Sequence, residues 1–461
     1  MSSKPKRRKK RLRRQTAGGP VRVDLPAAIR KHQEGHIEEA AKAYRALLAA
    51  CPDHVDALHF LGVAEHQLGR SEAALQFIGR ALALMPDHAD ALNNRGNVLK
   101  SLHRLDEAEA DYRRALELRP RDANALNNLG TVRRARGDLE GAVATFREVI
   151  ALKPDHAPAW QNLGNSLAGL DRVQEALDAH REGMRLAPQS ADSYRHLGAI
   201  LHAVGRTGEA AQVYREWLAR FPDDPRARHL VAACSGEGAP RRASDEYVRT
   251  EFDNFAPTFD ASLARLGYRA PTLVAERVTE IFGVPQARLV LLDAGCGTGL
   301  CGPLLRPAAS VLVGVDLSAA MVELARQRGV YDTLIVEELT AFLRQHVQAN
   351  DLIVSADTLV YFGDLTEVTM AAAGALRPGG ALIFTVERAE PEDAPSGYRI
   401  NPHGRYSHTF NYLLQVLDEA GLADPAIREV TLRKEAEKWV DGWLVSARIP
   451  DYARTRPHHR D

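Results

Sequence analysis

A two-part fold, an all-helical repeat solenoid followed by an α/β domain, is what this sequence of 461 residues predicts. Three observations carry that expectation. Pro52, Pro86, Pro120, Pro154, Pro188 and Pro222 follow one another at intervals of 34 residues, and the period then stops. Next, the apolar run Leu289 to Leu292 breaks into Asp293, Gly295, Gly297 and Gly299, the mark of a buried strand that turns sharply. Finally, a second apolar run, Val311 to Val315, ends in Asp316.

The repeats come first. Gly62, Gly96, Gly130, Gly164 and Gly198 share the proline register, as do Ala40, Ala74, Ala108, Ala142, Ala176 and Ala210. Small residues at fixed places let paired helices approach closely, and each proline ends a second helix before the next pair begins. The pattern resembles the tetratricopeptide repeat, with six units over about Val21 to Asp224. In the first of these Ala28 replaces the glycine, which suits a capping repeat. Asn94, Asn128 and Asn162 occupy one register just before the glycine. In this repeat family that helix lines the concave face, and a row of carboxamides there can donate to and accept from an extended peptide. The row is similar to the asparagine ladder of O-linked N-acetylglucosamine transferases, which implies a peptide or protein partner. The other reading is that these amides bridge neighbouring repeats. His54, His88 and His156 share a register too far apart to hold a metal and read as turn or cap residues.

Composition bounds the rest. The 45% hydrophobic content is enough for real cores, and Lys plus Arg equals Asp plus Glu at 60 each, so no global field recruits nucleic acid or membrane. Nine basic residues between Lys4 and Arg14 form a local exception. That arm, within residues 1–20, reads as a disordered tail able to meet RNA or another anionic surface. No apolar run follows it as in a secretory signal, and no stretch is long enough to span a bilayer. Cys51, Cys234, Cys296 and Cys301 show neither metal-ligand nor disulfide spacing, which suits a reducing cytoplasm.

SGEGAPRRAS, residues 235–244, breaks the period and reads as the end of a linker. The expected domains are therefore a solenoid over 21–231, a linker over 232–244, an α/β domain over 245–450 and a tail over 451–461. The 245–450 domain is expected to fold without the repeats. Phe252, Phe255 and Phe259 lie at helical spacing, interrupted by Pro257. A helix over 272–282 follows, stopped by Gly283.

At the glycine turn a ligand can lie against backbone without a Cβ in the way, where the next helix begins. The Asp316 carboxylate can accept two hydrogen bonds from a ribose diol. DAGCGTG followed by VDLS resembles the first two motifs of class I S-adenosylmethionine-dependent methyltransferases. Gly297, Gly299 and Gly302 also satisfy the G-x-G-x-x-G of dinucleotide folds, but Asp293, Ala294, Gly295 and Cys296 separate them from the strand, so an NAD-type oxidoreductase ranks lower. A non-catalytic scaffold that binds the cofactor is the other alternative.

Further strands over 333–336, 351–355 and 381–386, the last after an LRPGG turn, and two near 427–432 and 443–449 are expected. With them the resemblance implies a Rossmann-like, seven-stranded mixed sheet. From SDEYVRTEFDNFAPTFD through DAGCGTG to YRINPHGRYSH the chain resembles bacterial-type predicted methyltransferases that carry tetratricopeptide repeats. The resemblance implies S-adenosylmethionine as cofactor, with Asp293 at the methionine ammonium, the backbone of Gly295, Cys296, Gly297 and Gly299 passing beneath it, Asp316 at the ribose, and Ala294 and Leu317 also in the cofactor-binding set. It places Met321 and Glu338, or Glu337 in its stead, at adenine, Ser355 in the cofactor site, and an aromatic lid over the cofactor from the segment before the first strand. His403, Arg405, Tyr406 and His408, in the polar loop 387–408, are candidates to orient or deprotonate a small-molecule or protein acceptor.

Overall fold

The computed structural model describes residues 24–236, 238–435 and 438–451; the basic arm and most of the expected tail lie outside them. The chain divides into two compact units, residues 1–187 and 188–461. The cut falls before the sixth helical pair, well ahead of the expected linker.

In the first unit five antiparallel helical pairs run from Leu25–Gln33 and Ile37–Ala50 to Ala157–Ala168 and Val173–Leu186. The 34-residue register has a direct steric cause. A Cβ on Gly130 would stand 2.6 Å from the Phe146 ring, and one on Gly96 would stand 2.6 Å from Tyr112. Each glycine thus admits a large ring from the partner helix. Ala40, Ala74, Ala108, Ala142 and Ala176 are fully buried on the facing helices. His54, His88 and His156 are N-caps: each Nδ1 accepts a backbone N–H three residues on, at 3.4, 3.3 and 3.1 Å. Asp122 holds the equivalent place with a carboxylate that accepts from Asn124 and Ala125.

The second unit begins with the sixth pair, Ala191–Ala203 and Thr207–Arg220, and a further helix, Pro225–Ser235. Asp245–Phe255, the short 3-10 turn Ala256–Thr258 and Phe259–Arg265 follow, with the break at Pro257 as expected. The sheet comprises β1 (Leu289–Ala294), β2 (Ala309–Asp316), β3 (Thr333–Val336), β4 (Asn350–Ser355), β5 (Leu376–Arg388), β6 (Tyr398–Ile400), β7 (Tyr406–His408), β8 (Ala423–Glu435) and β9 (Lys438–Arg448). Strands β3, β2, β1, β4 and β5 are parallel and adjacent in that order, and the β8–β9 hairpin is attached through β9 antiparallel to β5.

Those seven strands are the expected mixed sheet, but the sheet has nine among the described residues. The surplus comes from the polar loop, whose β6–β7 hairpin pairs with Glu387 and Arg388 at the far end of β5. LRPGG is likewise part of β5, where Gly379 at φ 78° and a register shift against β4 absorb the expected turn. Alternation along the strands feeds two cores. Leu292, Ile353, Leu382 and Phe384 pack against Leu339–Gln345, Thr366–Ala375 and Phe410–Glu419. Leu291, Leu352, Val354 and Ile383 pack against Ala270–Phe282 on the other face.

Candidate active site

Where β1, β2, β3 and β4 end, the chain leaves a cavity of about 330 Å³. Open α/β sheets gather ligands outside the carboxyl ends of their strands. Gly295 and Gly297 follow β1, Asp316 and Leu317 close β2, Glu337 and Glu338 follow β3, and Asp357 and Thr358 follow β4; all line the wall.

Gly297 sits at φ 54°, and a Cβ built on it would meet nothing within 4 Å, so bare backbone faces open space. Its N–H donates to Asp316 Oδ2 at 2.8 Å, and Ser318 N–H donates to Asp316 Oδ1 at 2.9 Å. Burial nevertheless pushes the Asp316 carboxyl up from its ordinary value, against those two donors. Each oxygen keeps acceptor capacity toward the cavity.

Asp293 is placed differently from the expectation. It is fully buried behind the turn, off the cavity wall, with Oδ2 accepting the Tyr331 hydroxyl at 2.7 Å and Oδ1 without a partner. Burial raises its carboxyl to about 7. Ala294, Cys296, Gly299, Met321 and Ser355 are also absent from the wall. Met321 is buried in the helix Ala319–Gln327, and Ser355 Oγ donates to Ala294 O at 2.9 Å, tying β4 to β1. Glu338 does line the cavity, but its carboxylate already caps the helix Leu339–Gln345 and meets Arg242 at 3.0 Å.

A roof covers this floor. Phe252, Phe255 and Phe259 all line the cavity, with Phe259 edge-to-face against both Phe252 and Phe255 and Phe252 edge-to-face against Tyr361. Two carboxylates fasten the roof to the floor. Asp253 accepts the Ser318 hydroxyl at 2.5 Å, and Asp260 accepts the Thr298 hydroxyl at 2.5 Å.

The opposite end is polar and closely paired. Arg433 donates to Asp357 at 2.7 Å, to Glu435 at 2.6 Å and to Glu387; Arg405 donates to Glu387 at 2.6 Å and to Glu435 at 2.8 Å. Two guanidinium groups and His403 hold the buried Glu387 carboxyl down at about 2, against its burial. His403 lines the cavity with Nδ1 accepting the Arg405 N–H at 3.3 Å, and burial with the Arg405 charge depresses it to about 4. It is a neutral imidazole at neutral pH. Tyr268 and Tyr361 also face the cavity, and the sequence did not single them out.

Two acceptor candidates are corrected. The Tyr406 hydroxyl donates to Pro240 O at 2.6 Å, and His408 Nε2 donates to Gly363 O at 3.0 Å. Both side chains are buried away from the cavity, spent on backbone carbonyls. In the first unit the asparagine row is engaged as well. Asn94 Nδ2 meets His59 Nε2 at 2.8 Å, Asn128 Nδ2 donates to Asn93 Oδ1 at 3.0 Å and Asn162 Nδ2 donates to Asn127 Oδ1 at 3.2 Å. Each amide thus bridges to the preceding repeat from a half-buried side chain.

The polar set fits a donor of the S-adenosylmethionine kind: an open glycine backbone, a carboxylate with spare acceptors at the end of β2, and an orphaned buried carboxyl oxygen on Asp293 beneath the turn. Comparison with known proteins points the same way. Residues 292–384 match the family model described as methyltransferase domain, and residues 27–89, 87–155 and 191–234 match tetratricopeptide repeat models. Human methyltransferase-like protein 27 is 40% identical over 84 residues, 18% of this chain and 34% of that protein. The ubiquinone biosynthesis O-methyltransferase of Bordetella avium is 27% identical over 147 residues, 29% of this chain and 59% of that one. The chain thus spans between about a third and three fifths of these relatives. The crystal structure of MamA is 24% identical, with a TM-score of 0.33 over 36% of this chain and 96% of that one. No helix among the described residues is long and apolar enough to cross a membrane.

Proposed function

We propose that this chain, a class I S-adenosylmethionine-dependent methyltransferase domain carried behind tetratricopeptide repeats, methylates a nucleophilic acceptor held under the aromatic roof, and that the repeats recruit a peptide or protein partner. One observation supports the catalytic part most: the Gly295 to Gly297 backbone and Asp316 share a single cavity with a separate polar end at Arg405, His403 and Tyr361. S-adenosylmethionine supplies an electrophilic methyl group on a sulfonium. The protein's work is then alignment and exclusion of water.

Asp316 holds the ribose, and the open Gly297 backbone lets the donor lie against the turn. Asp293 acts from beneath that turn through its unpaired oxygen. Phe252, Phe255 and Phe259 keep water from the reacting centre. His403, depressed to about 4, is too weakly basic for bulk proton removal at neutral pH and orients the acceptor as a neutral hydrogen-bonding group. Arg405 positions the acceptor wall through Glu387 and Glu435. The half-buried Asn94, Asn128 and Asn162 are the row that would meet a peptide in the first unit.

Titration with S-adenosylhomocysteine and with NAD, followed by incubation with methyl-labelled donor and fractionated cell extract, tests the assignment. Binding of the nucleoside thioether with label passing to an acceptor supports it. Binding without any transfer favours a scaffold, and preference for NAD favours hydride chemistry.

A further inference from the structure

The helix Asp245–Phe255 carries one charge in the middle of its apolar stripe. Glu251 stands one turn after Tyr247 and one turn before Phe255, and all three line the cavity together with Phe252, Phe259 and Tyr361. Unlike the other acids of the polar end, its carboxylate makes no hydrogen bond or ion pair among the described residues. Asp357 is ion-paired with Arg433, and Glu435 with Arg433 and Arg405. Around the whole wall seven carboxyl side chains face three guanidinium groups. Glu251 and these rings line one wall without an ion pair to Glu251 among the described residues, and both a carboxylate and aromatic faces attract a cation, the rings through their quadrupoles.

We propose that Glu251 and these rings form the acceptor subsite and that the acceptor is an amine bound as its ammonium ion. The inference rests on the methyltransferase assignment and deepens it. In the reaction the ammonium gives one proton to the Glu251 carboxylate, which passes it to water. The nitrogen lone pair then forms the new N–C bond as the C–S bond breaks, and sulfur keeps the bonding pair as a neutral thioether. The positive charge moves from sulfur to the methylated nitrogen, so the acidic cavity faces a cation before and after transfer.

The test uses full-length protein saturated with S-adenosylhomocysteine and three probes of like shape: 2-phenylethylammonium, 2-phenylethanol and phenylacetate. The ammonium should bind about tenfold more tightly than the alcohol, and phenylacetate more weakly still. Glu251→Gln should erase the preference for the ammonium while leaving S-adenosylhomocysteine affinity within about twofold. Equal binding of the three probes, tighter binding of phenylacetate, or a preference that survives Glu251→Gln overturns the amine subsite. So does a loss of S-adenosylhomocysteine affinity in that variant, which would assign Glu251 to the donor. Failure of the wild type to bind S-adenosylhomocysteine strikes instead at the underlying methyltransferase assignment.

Discussion

The His229 imidazole donates Nε2–H to the carbonyl of Gly404 at 2.7 Å while its ring lies stacked on Tyr247, centroids 3.9 Å apart. A carbonyl only accepts, so Nε2 carries the proton. His229 lies on the helix Pro225–Ser235, Gly404 in the polar loop between His403 and Arg405, and Tyr247 on the roof helix. Helix, loop and roof therefore meet at one ring.

A fragment of residues 188–461 should accordingly melt cooperatively and bind S-adenosylhomocysteine, whereas one of residues 245–461 should be destabilised. Within the longer fragment, His229→Ala should cost about 1–3 kcal/mol, since it strands a buried carbonyl. Denaturant titration of the fragments decides. A 245–461 fragment as stable as 188–461 would restore the boundary that sequence suggested.

Asp316→Ala should weaken S-adenosylhomocysteine binding by on the order of 2 kcal/mol, the usual cost of losing a charged acceptor. Calorimetry on both proteins measures it directly. Unchanged affinity would remove Asp316 from the ribose.

Tyr406→Phe should lower stability by about 1 kcal/mol and leave S-adenosylhomocysteine affinity alone, because the hydroxyl serves Pro240 rather than a ligand. A selective loss of turnover with unchanged stability would return Tyr406 to the acceptor site.

Replacing Asn94, Asn128 and Asn162 together by Ala should reduce the stability of the repeats, by about 0.5–1.5 kcal/mol for each lost bridge. Helical melting curves provide the readout. A variant that melts as the wild type would show that the bridges carry no weight and leave the row free for a peptide.

Acidification should destabilise the second unit. His403 and His408 are each depressed by burial to about 4. Below the ordinary histidine range the unfolded chain takes up protons that the folded one refuses, so stability is lost from about pH 6.5 down to about pH 4. Asp293, raised to about 7, opposes this, since its folded carboxyl gains a proton over much of the same range. Asp316 and Asp357, also raised by burial, act with Asp293. His202 and His229, also depressed by burial, and Glu387, held down at about 2, act with His403 and His408 and should leave a net fall. Replacing His408 by Gln should flatten the dependence in melts across this window, and an unchanged slope would count against a buried neutral imidazole.

The sequence revealed whatever repeats or lies within a few residues. The proline and glycine period is written several times over, and the glycine turn with Asp316 is a local signal read almost to its boundaries. Pairs formed across the fold leave no such mark. Asp293 meets Tyr331, Ser318 meets Asp253 and Arg433 meets Asp357 only after the sheet has formed. Tyr406 and His408 looked like acceptor chemistry because their partners are backbone carbonyls, which no residue type advertises. The asparagine bridges had a visible cue in the LNN doublets, since Asn93 and Asn127 stand one position before the aligned row.

The Asp253 and Asp260 contacts bear on the timing of turnover. Each carboxylate grips a hydroxyl on a segment that also lines the cavity, Ser318 just after Asp316 and Thr298 just after Gly297. If the donor binds as proposed, it would pass beneath the roof only once these latches open. Residence time would then depend on a pair of hydroxyl contacts that lie off the cavity wall. Loosening one of them would shorten the donor's stay before it altered the chemistry of the methyl group, and would make product escape the step most sensitive to this corner of the fold.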